Sequence, residues 1–126
     1  MAERIFKRKI YDKILDWKRA NNGQTALLIE GARRVGKSTI VEQFAKNEYK
    51  SYILIDFNKA SQEVKSLFDD LMDLDFVFLR LQQLYKTELS KRQSVIIFDE
   101  VQQCPAARQA IKYLVADGRY DYIETG

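Results

Sequence analysis

The sequence has 126 residues, of which 46% are hydrophobic and 31% are charged, and its formal net charge is +3. This composition is typical of one globular domain, and it excludes a disordered, collagen-like or membrane-spanning chain. The absence of histidine excludes a His-based triad and a His metal site, and the small net charge does not by itself indicate nucleic acid or anionic lipid as a partner.

Apolar periodicity and short apolar runs predict helices that alternate with strands. In chain order the predictions are a helix over residues 5–20, a strand over 26–30, a helix over 38–46, a strand over 52–57, helices over 61–72 and 75–89, a strand over 94–99, a helix over 105–117 and a strand over 120–124. This alternation indicates an α/β fold, in which helices cover both faces of a parallel sheet. Ligands of such folds bind beyond the carboxyl ends of the strands, so the residues that follow each strand are candidates for a site.

A glycine-rich segment follows the first predicted strand and precedes the second predicted helix. It reads Gly31-Ala-Arg-Arg-Val-Gly-Lys-Ser38 and fits the P-loop pattern G-x-x-x-x-G-K-[ST], in which successive backbone N–H groups face one phosphate. Lys37 would reach the β- and γ-phosphate oxygens, and Ser38 would supply a hydroxyl to Mg²⁺. The predicted phosphate-binding residues are Gly31, Ala32, Arg33, Arg34, Val35, Gly36, Lys37, Ser38 and Thr39. Either arginine could face phosphate or a neighbouring subunit, or both could point to solvent.

The third predicted strand ends in two carboxylates, Asp99 and Glu100. A buried strand that ends in an acid is common, so this feature is weak alone, but behind a P-loop it indicates a Walker B site. Asp99 would hold Mg²⁺ through its water shell, and Glu100 would polarise the attacking water. The second carboxylate matters because phosphoryl transfer to water needs a positioned nucleophile as well as charge stabilisation.

Other candidates keep two interpretations each. Thr125, after the fourth predicted strand, could sense the γ-phosphate or position the water, or it could simply end a strand. Gln102 and Gln103 could hydrogen-bond near the γ-phosphate or lead into the next helix. The cations near the start could touch nucleic acid, although a solvated helix face is the plainer interpretation; they are Arg4, Lys7, Arg8 and Lys9.

With these motifs in place, the chain resembles an AAA+ ATPase domain, and more narrowly a family of largely uncharacterised bacterial and archaeal ATPases. The residues that carry the resemblance are Arg8-Lys-Ile-Tyr11, Gly31-Ala-Arg-Arg-Val-Gly-Lys-Ser38, Phe98-Asp-Glu-Val-Gln102 with Cys104-Pro105, and Ile123-Glu-Thr-Gly126. The resemblance implies the three-layer P-loop NTPase fold with the sheet order 5-1-4-3-2, of which this chain would supply the order 1-4-3-2. It implies ATP and Mg²⁺ as ligands, with Gly31, Gly36, Lys37 and Ser38 on the phosphates and metal and with Asp99 and Glu100 as Walker B residues. Motifs and resemblance together predict Lys37, Glu100 and Thr125 as catalytic residues and Ser38 and Asp99 as metal residues.

These features predict Mg-ATP binding and hydrolysis coupled to conformational change in a larger protein or assembly. The alternative is a nucleotide-binding switch or interaction module with little turnover. Since no residues remain for a fifth strand, residues 1–126 are expected to form one incomplete ATPase core, without a lid or C-terminal domain and with weak or no hydrolysis. Such a core could contact the missing domain or further copies of itself, and no membrane partner is expected. The single cysteine, Cys104, and the lack of a secretion signal indicate the cytoplasm.

Overall fold

The computed structural model describes residues 2–31 and 36–126, apart from the side chains of Ala2, Glu3 and Phe6. Within this part, parallel strands form one four-stranded sheet in the order β1-β4-β3-β2. The strands are β1 (Leu27–Ile29), β2 (Ser51–Asp56), β3 (Ser94–Asp99) and β4 (Asp121–Thr125). The predicted α/β class and the predicted order 1-4-3-2 are therefore confirmed.

Helices cover both faces of the sheet. The helices in the described residues are α1 (Ala2–Asn21), α2 (Lys37–Glu48), α3 (Gln62–Ser66), α4 (Leu74–Tyr85) and α5 (Pro105–Asp117), with a 3₁₀ turn at Val101–Gln103. The apolar faces of α1 and α2 form one core with one side of the sheet. The other three helices form a second core on the opposite side. No helix in the described part of the chain has both the length and the apolar character needed to cross a membrane.

The central strand β3 is buried along its whole length, which explains the four consecutive apolar residues at positions 95–98. Val95 and Ile97 face the core under α1 and α2, whereas Ile96 and Phe98 face the core under the other helices. Phe98 packs edge-on against Phe68, with ring centroids 5.2 Å apart. A strand enclosed on both faces needs no polar side chains. The polar residue Asp99 at its carboxyl end therefore marks the edge of the sheet where a ligand site is expected.

The predicted helix over residues 61–72 was wrong beyond Ser66. Three successive i→i+3 bonds tighten the chain there, from the N–H groups of Leu67, Phe68 and Asp69. The tight turn buries Leu67 and Phe68 together, and the aspartates that follow are unfavourable at a helix C-terminus. Further on, the Asp73 side chain accepts from Phe76 N–H at 3.1 Å and begins α4.

The predicted helix over residues 75–89 also ends early, at Tyr85. Lys86 takes a left-handed conformation with φ 51°, which closes α4. Gln82 then accepts hydrogen bonds from backbone N–H groups beyond the helix. Its carbonyl accepts from Thr87 N–H, and its side chain accepts from Leu89 N–H at 2.8 Å. Local polar bonds therefore outweigh the apolar periodicity that extended the prediction to residue 89.

Candidate functional site

Three oxygen-bearing side chains meet at the carboxyl end of the sheet around Asp99. The Ser38 hydroxyl donates to Asp99 Oδ1 at 2.7 Å, and the Thr125 hydroxyl donates to the same oxygen at 2.6 Å. The Thr125 Oγ1 atom in turn accepts from the backbone N–H of Glu100 at 3.0 Å. Asp99, Glu100 and Thr125 are all buried, so this chain of hydrogen bonds is shielded from competing water.

The sheet topology brings these side chains together. Strands β3 and β4 pair in register with Phe98 beside Glu124, which puts Asp99 next to Thr125 at the strand ends. On the other side, β4 pairs with β1 so that Thr125 lies beside Ile29. The chain leaves β1 through Gly31, and after the undescribed residues α2 begins at Lys37 and presents Ser38 to Asp99.

The N-terminus of α2 lies beside this cluster, and the first backbone N–H groups of a helix have no partner within the helix. Gly36 occupies the N-cap position with φ 70°, a left-handed conformation that favours glycine. Lys37 is buried, and its Nζ donates to the carbonyls of Gly31 at 2.8 Å and Gly126 at 3.2 Å. The helix dipole and the ammonium group together make this place attractive to an anion.

The Glu100 carboxylate is held by a neighbour. Glu100 itself has φ 56°, so the chain turns sharply after β3. Gln102 Nε2 donates to Glu100 Oε2 at 2.6 Å. The other side-chain atom, Gln102 Oε1, lies so close to Gly126 that a Cβ there would collide with it. Of the two glutamines that the sequence offered, Gln102 is the one that the structure brings to the acidic pair.

One cation at this end of the sheet is not predicted by the sequence pattern. Lys7 was grouped with the cations of a solvated helix face, but its side chain is half-buried and lies against Gly36. A Cβ built on Gly36 would be 3.4 Å from Lys7 Cε and 3.9 Å from Lys7 Nζ. The helical period could not reveal this, because it orders residues around α1 without telling which face meets the N-terminus of α2.

The predicted site residues thus divide into three groups. The structure brings together Gly31, Gly36, Lys37, Ser38, Asp99, Glu100 and Thr125. Thr39 lies in the first turn of α2 with an exposed side chain, so only its backbone is in position to serve a phosphate. Ala32, Arg33, Arg34 and Val35 lie outside the described residues.

The hydroxyl and carboxylate oxygens around Asp99 are the hard donors that Mg²⁺ prefers. Magnesium in nucleotide sites is commonly held by one or two such groups together with phosphate oxygens and waters. Ser38 and Asp99, whose oxygens are 2.7 Å apart, therefore fit a magnesium ion.

On the adjacent strand, burial raises the pKa of Glu124, while Arg108 on α5 opposes the shift.

Two open grooves lie away from this cluster. One, of about 520 Å³, runs beside β2, where Tyr52 donates to Glu42 at 2.8 Å and burial raises the pKa of Tyr52 to about 12. The other, of about 550 Å³, lies between Leu71 and Tyr113 and is mainly apolar. Neither groove is lined by Ser38, Asp99 or Thr125, so the candidate site is defined by the strand ends.

A family model described as an AAA domain matches residues 23–126. The chain belongs to the AAA domain family. No curated protein and no solved structure matches the chain. The AAA domain so defined contains every described strand and the whole cluster around Asp99, and family membership supports a nucleotide-binding domain of the ATPase type. Helix α1, which brings Lys7 against Gly36, precedes the matched part of the AAA domain.

Proposed function

We propose that this AAA domain binds Mg-ATP at the carboxyl end of its sheet and hydrolyses it, and that the reaction drives a conformational change in a larger protein or assembly. The observation that carries the proposal is the convergence of the Ser38 and Thr125 hydroxyls on Asp99 Oδ1 beside the buried Lys37. A structural core gains little from burying an ammonium group and two carboxylates together, whereas a nucleotide site uses all three.

Each group has a role that its position supports. The N–H groups at the start of α2 and the Lys37 ammonium would bind the phosphates, with Gly31, Gly36 and Thr39 contributing backbone to the same loop. We also assign Ala32, Arg33, Arg34 and Val35 to this loop from their sequence. Ser38 and Asp99 would hold Mg²⁺, which when bound neutralises charge on the phosphate oxygens.

Glu100 would orient the attacking water. In the reaction the water oxygen forms a bond to the γ-phosphorus, the bond between that phosphorus and the bridging oxygen breaks, and ADP and inorganic phosphate are the products. Thr125, whose hydroxyl joins Asp99 to the Glu100 backbone, would position the two carboxylates relative to each other. Its contribution is indirect, because in this arrangement its hydroxyl already has both partners within the protein.

A nucleotide-binding switch with little turnover is the second candidate. It is favoured by Gln102, which holds the Glu100 carboxylate at 2.6 Å and would have to release it before water could be oriented. The two candidates share the binding step and differ only in rate, so phosphate release after nucleotide binding separates them. That residues 1–126 form one ATPase core remains a prediction. We propose the cytoplasm as its compartment.

The binding proposal is tested with Lys37→Ala. Titration calorimetry should detect Mg-ATP binding to the wild-type chain and none to the variant, while circular dichroism shows the same fold. The matched control is Lys46→Ala, which removes an exposed cation from the same helix and should bind as the wild type does. Unchanged Mg-ATP affinity in Lys37→Ala, or no binding to the wild-type chain, would contradict the assignment.

A further inference from the structure

An apolar groove remains open on the outer side of the second core, between the segment that precedes α4 and the last turns of α5. It has a volume of about 550 Å³, and Leu71, Met72 and Tyr113 contribute to its walls. Met72 is 95% exposed and Tyr113 is 56% exposed. A smaller groove, of about 300 Å³, adjoins it at Leu71 and Tyr113 and reaches Asp69. We refer to the two together as the α5 groove. Large apolar side chains that lie together in solvent are typical of a surface that binds a protein.

The segment that forms one wall of the α5 groove is acidic. Asp69, Asp70 and Asp73 are exposed and flank Leu71 and Met72 in the sequence. Within the described residues, no ion pair engages any of these three aspartates. An apolar surface with a carboxylate edge of this kind favours an occupant that combines an apolar side chain with cations.

Two cations beside the α5 groove do not cancel its negative charge. Arg119 forms ion pairs with Asp75 and Asp117, so its own charge is matched by two carboxylates. Lys112 lies over the Tyr113 ring, with Nζ 5.0 Å from the ring centroid. This single ammonium group stands against the three aspartates of the opposite wall, so the groove keeps an excess of negative charge.

The N-terminal turns of α1 carry the complementary combination of side chains. Arg4, Arg8 and Lys9 are exposed, and Ile5 among them is 58% exposed. Arg4 and Arg8 are four residues apart, as are Ile5 and Lys9, so the four side chains share one side of the helix. No ion pair joins these cations to another side chain in the part of the chain that the structure describes. We refer to the four residues as the basic stripe.

The basic stripe and the α5 groove lie on opposite sides of one molecule. Helix α1 packs with α2 on one face of the sheet, whereas α3, α4 and α5 cover the other face. We propose that copies of this chain associate head to tail, with the basic stripe of one copy in the α5 groove of the next. Ile5 enters the groove between Leu71 and Tyr113, and the cations around it face the aspartates. A second copy is the occupant because the chain itself carries both the apolar-acidic surface and its apolar-basic complement.

This interface joins two different surfaces, so it is heterologous. The apolar contact supplies affinity, and the charges at its edge orient the copies and make the association sensitive to salt. The inference goes beyond the proposed Mg-ATP site and does not depend on it, since the cluster around Asp99 does not line the α5 groove. Its test is therefore made without nucleotide.

Sedimentation equilibrium of the chain measures the association. The weight-average mass of the wild type should rise with protein concentration and fall when salt is raised. Met72→Ser should weaken the association about tenfold, because one large apolar side chain is no longer removed from water. Arg8→Glu and Asp69→Lys should each weaken it as well. The matched control for Arg8→Glu is Lys91→Glu, which reverses an exposed cation elsewhere and should associate as the wild type does.

A mixture of the two charge-reversed variants gives the sharpest result. Arg8→Glu keeps an intact α5 groove and Asp69→Lys keeps an intact basic stripe, so the mixture should associate although neither variant does so alone. Recovery in the mixture also excludes misfolding of either variant as the cause of its loss. A wild-type chain that stays monomeric at every concentration, or a mixture without recovery, would contradict the proposal. Association of Met72→Ser at the wild-type strength would equally overturn it, because the copies would then meet through other surfaces.

Discussion

The hydroxyl of Thr125 is bound to Asp99 Oδ1 at 2.6 Å and connects that carboxylate to the backbone N–H of Glu100. A single side chain from β4 thus contacts both acidic residues that follow β3. Any shift of β4 relative to β3 must break one of these bonds, so the relative position of the two strands and the geometry of the acidic pair are linked.

Thr125→Val should destabilise the chain, because the buried N–H of Glu100 loses its acceptor while the side-chain volume is kept. An unpaired buried donor costs about 1–3 kcal/mol. Urea denaturation should report a loss of that size, and Thr125→Ser, which keeps the hydroxyl, should recover most of it. Equal stability of Thr125→Val and the wild type would mean that the hydroxyl does not hold the two strands in this position.

Glu100→Gln should separate nucleotide binding from turnover. The amide keeps the size of the side chain but cannot accept a proton from water, so we expect unchanged Mg-ATP affinity and phosphate release slower by about 10²–10⁴-fold. A coupled phosphate-release assay on the wild type and the variant measures the ratio. If the variant hydrolyses ATP as fast as the wild type while still binding it, the role assigned to Glu100 is wrong.

A buried ion-pair network at the amino end of β4 should be strongly coupled. Asp121 is buried, accepts from the Tyr49 hydroxyl at 2.5 Å and forms an ion pair with Arg92. Arg92→Ala should cost about 2 kcal/mol of unfolding free energy, since it leaves a buried carboxylate short of its cation.

The control for this prediction is the same substitution in an Asp121→Asn background, where no charge needs compensation. There Arg92→Ala should cost clearly less, and urea denaturation of the four proteins gives the coupling energy directly. Identical costs in both backgrounds would show that the ion pair contributes nothing to the folded state.

Glu124 should make the stability depend on pH in the opposite direction from a salt-bridged acid. Burial raises its pKa in the folded chain above the ordinary value of 4.5, so the folded state binds this proton more tightly than the unfolded state. The free energy of unfolding should therefore fall as the pH rises from below 4.5 through the folded-state pKa. Glu124→Gln should remove this loss and be more stable than the wild type at neutral pH.

Chemical denaturation at several pH values checks the Glu124 prediction. The stabilisation by Glu124→Gln should shrink as the pH approaches 4.5 from above, because the wild-type carboxyl then becomes protonated too. Glu88→Gln, which neutralises an exposed glutamate, is the matched control and should show no such trend. A stabilisation of Glu124→Gln that is independent of pH would exclude ionisation as its cause.

The sequence predicted best what depends on burial and on spacing. Strand β3 was predicted at its observed bounds, because the buried positions 95–98 leave an uninterrupted apolar run between Ser94 and Asp99. Helix α5 was also predicted exactly, since Pro105 suits its first turn and Gly118 ends it with φ 83°. The carboxyl ends of the strands were predicted as the place where polar residues meet, and Ser38, Asp99 and Thr125 do meet there.

The sequence predicted poorly what depends on tertiary contacts and on the backbone. No residue type indicates that the Gly126 carbonyl will accept from Lys37, because every residue carries a carbonyl. Lys7 has the same chemistry as its exposed neighbours, and only the crossing of α1 over α2 distinguishes it. The early end of α3 after Ser66 reflects a local turn that apolar periodicity does not register.

The hydrogen bonds of the candidate site join residues that are far apart along the chain: 26 positions for Thr125 and Asp99, 61 for Ser38 and Asp99, and 89 for Lys37 and Gly126. Contacts of such long range form late in folding, because the loops between the two residues must lose conformational entropy before the contact stabilises the chain. A ligand whose site depends on all three contacts binds only the fully folded chain. Such a ligand makes global unfolding less frequent but does not stabilise partly folded states. Amide exchange with bound nucleotide should accordingly slow in β1, β3 and β4 together.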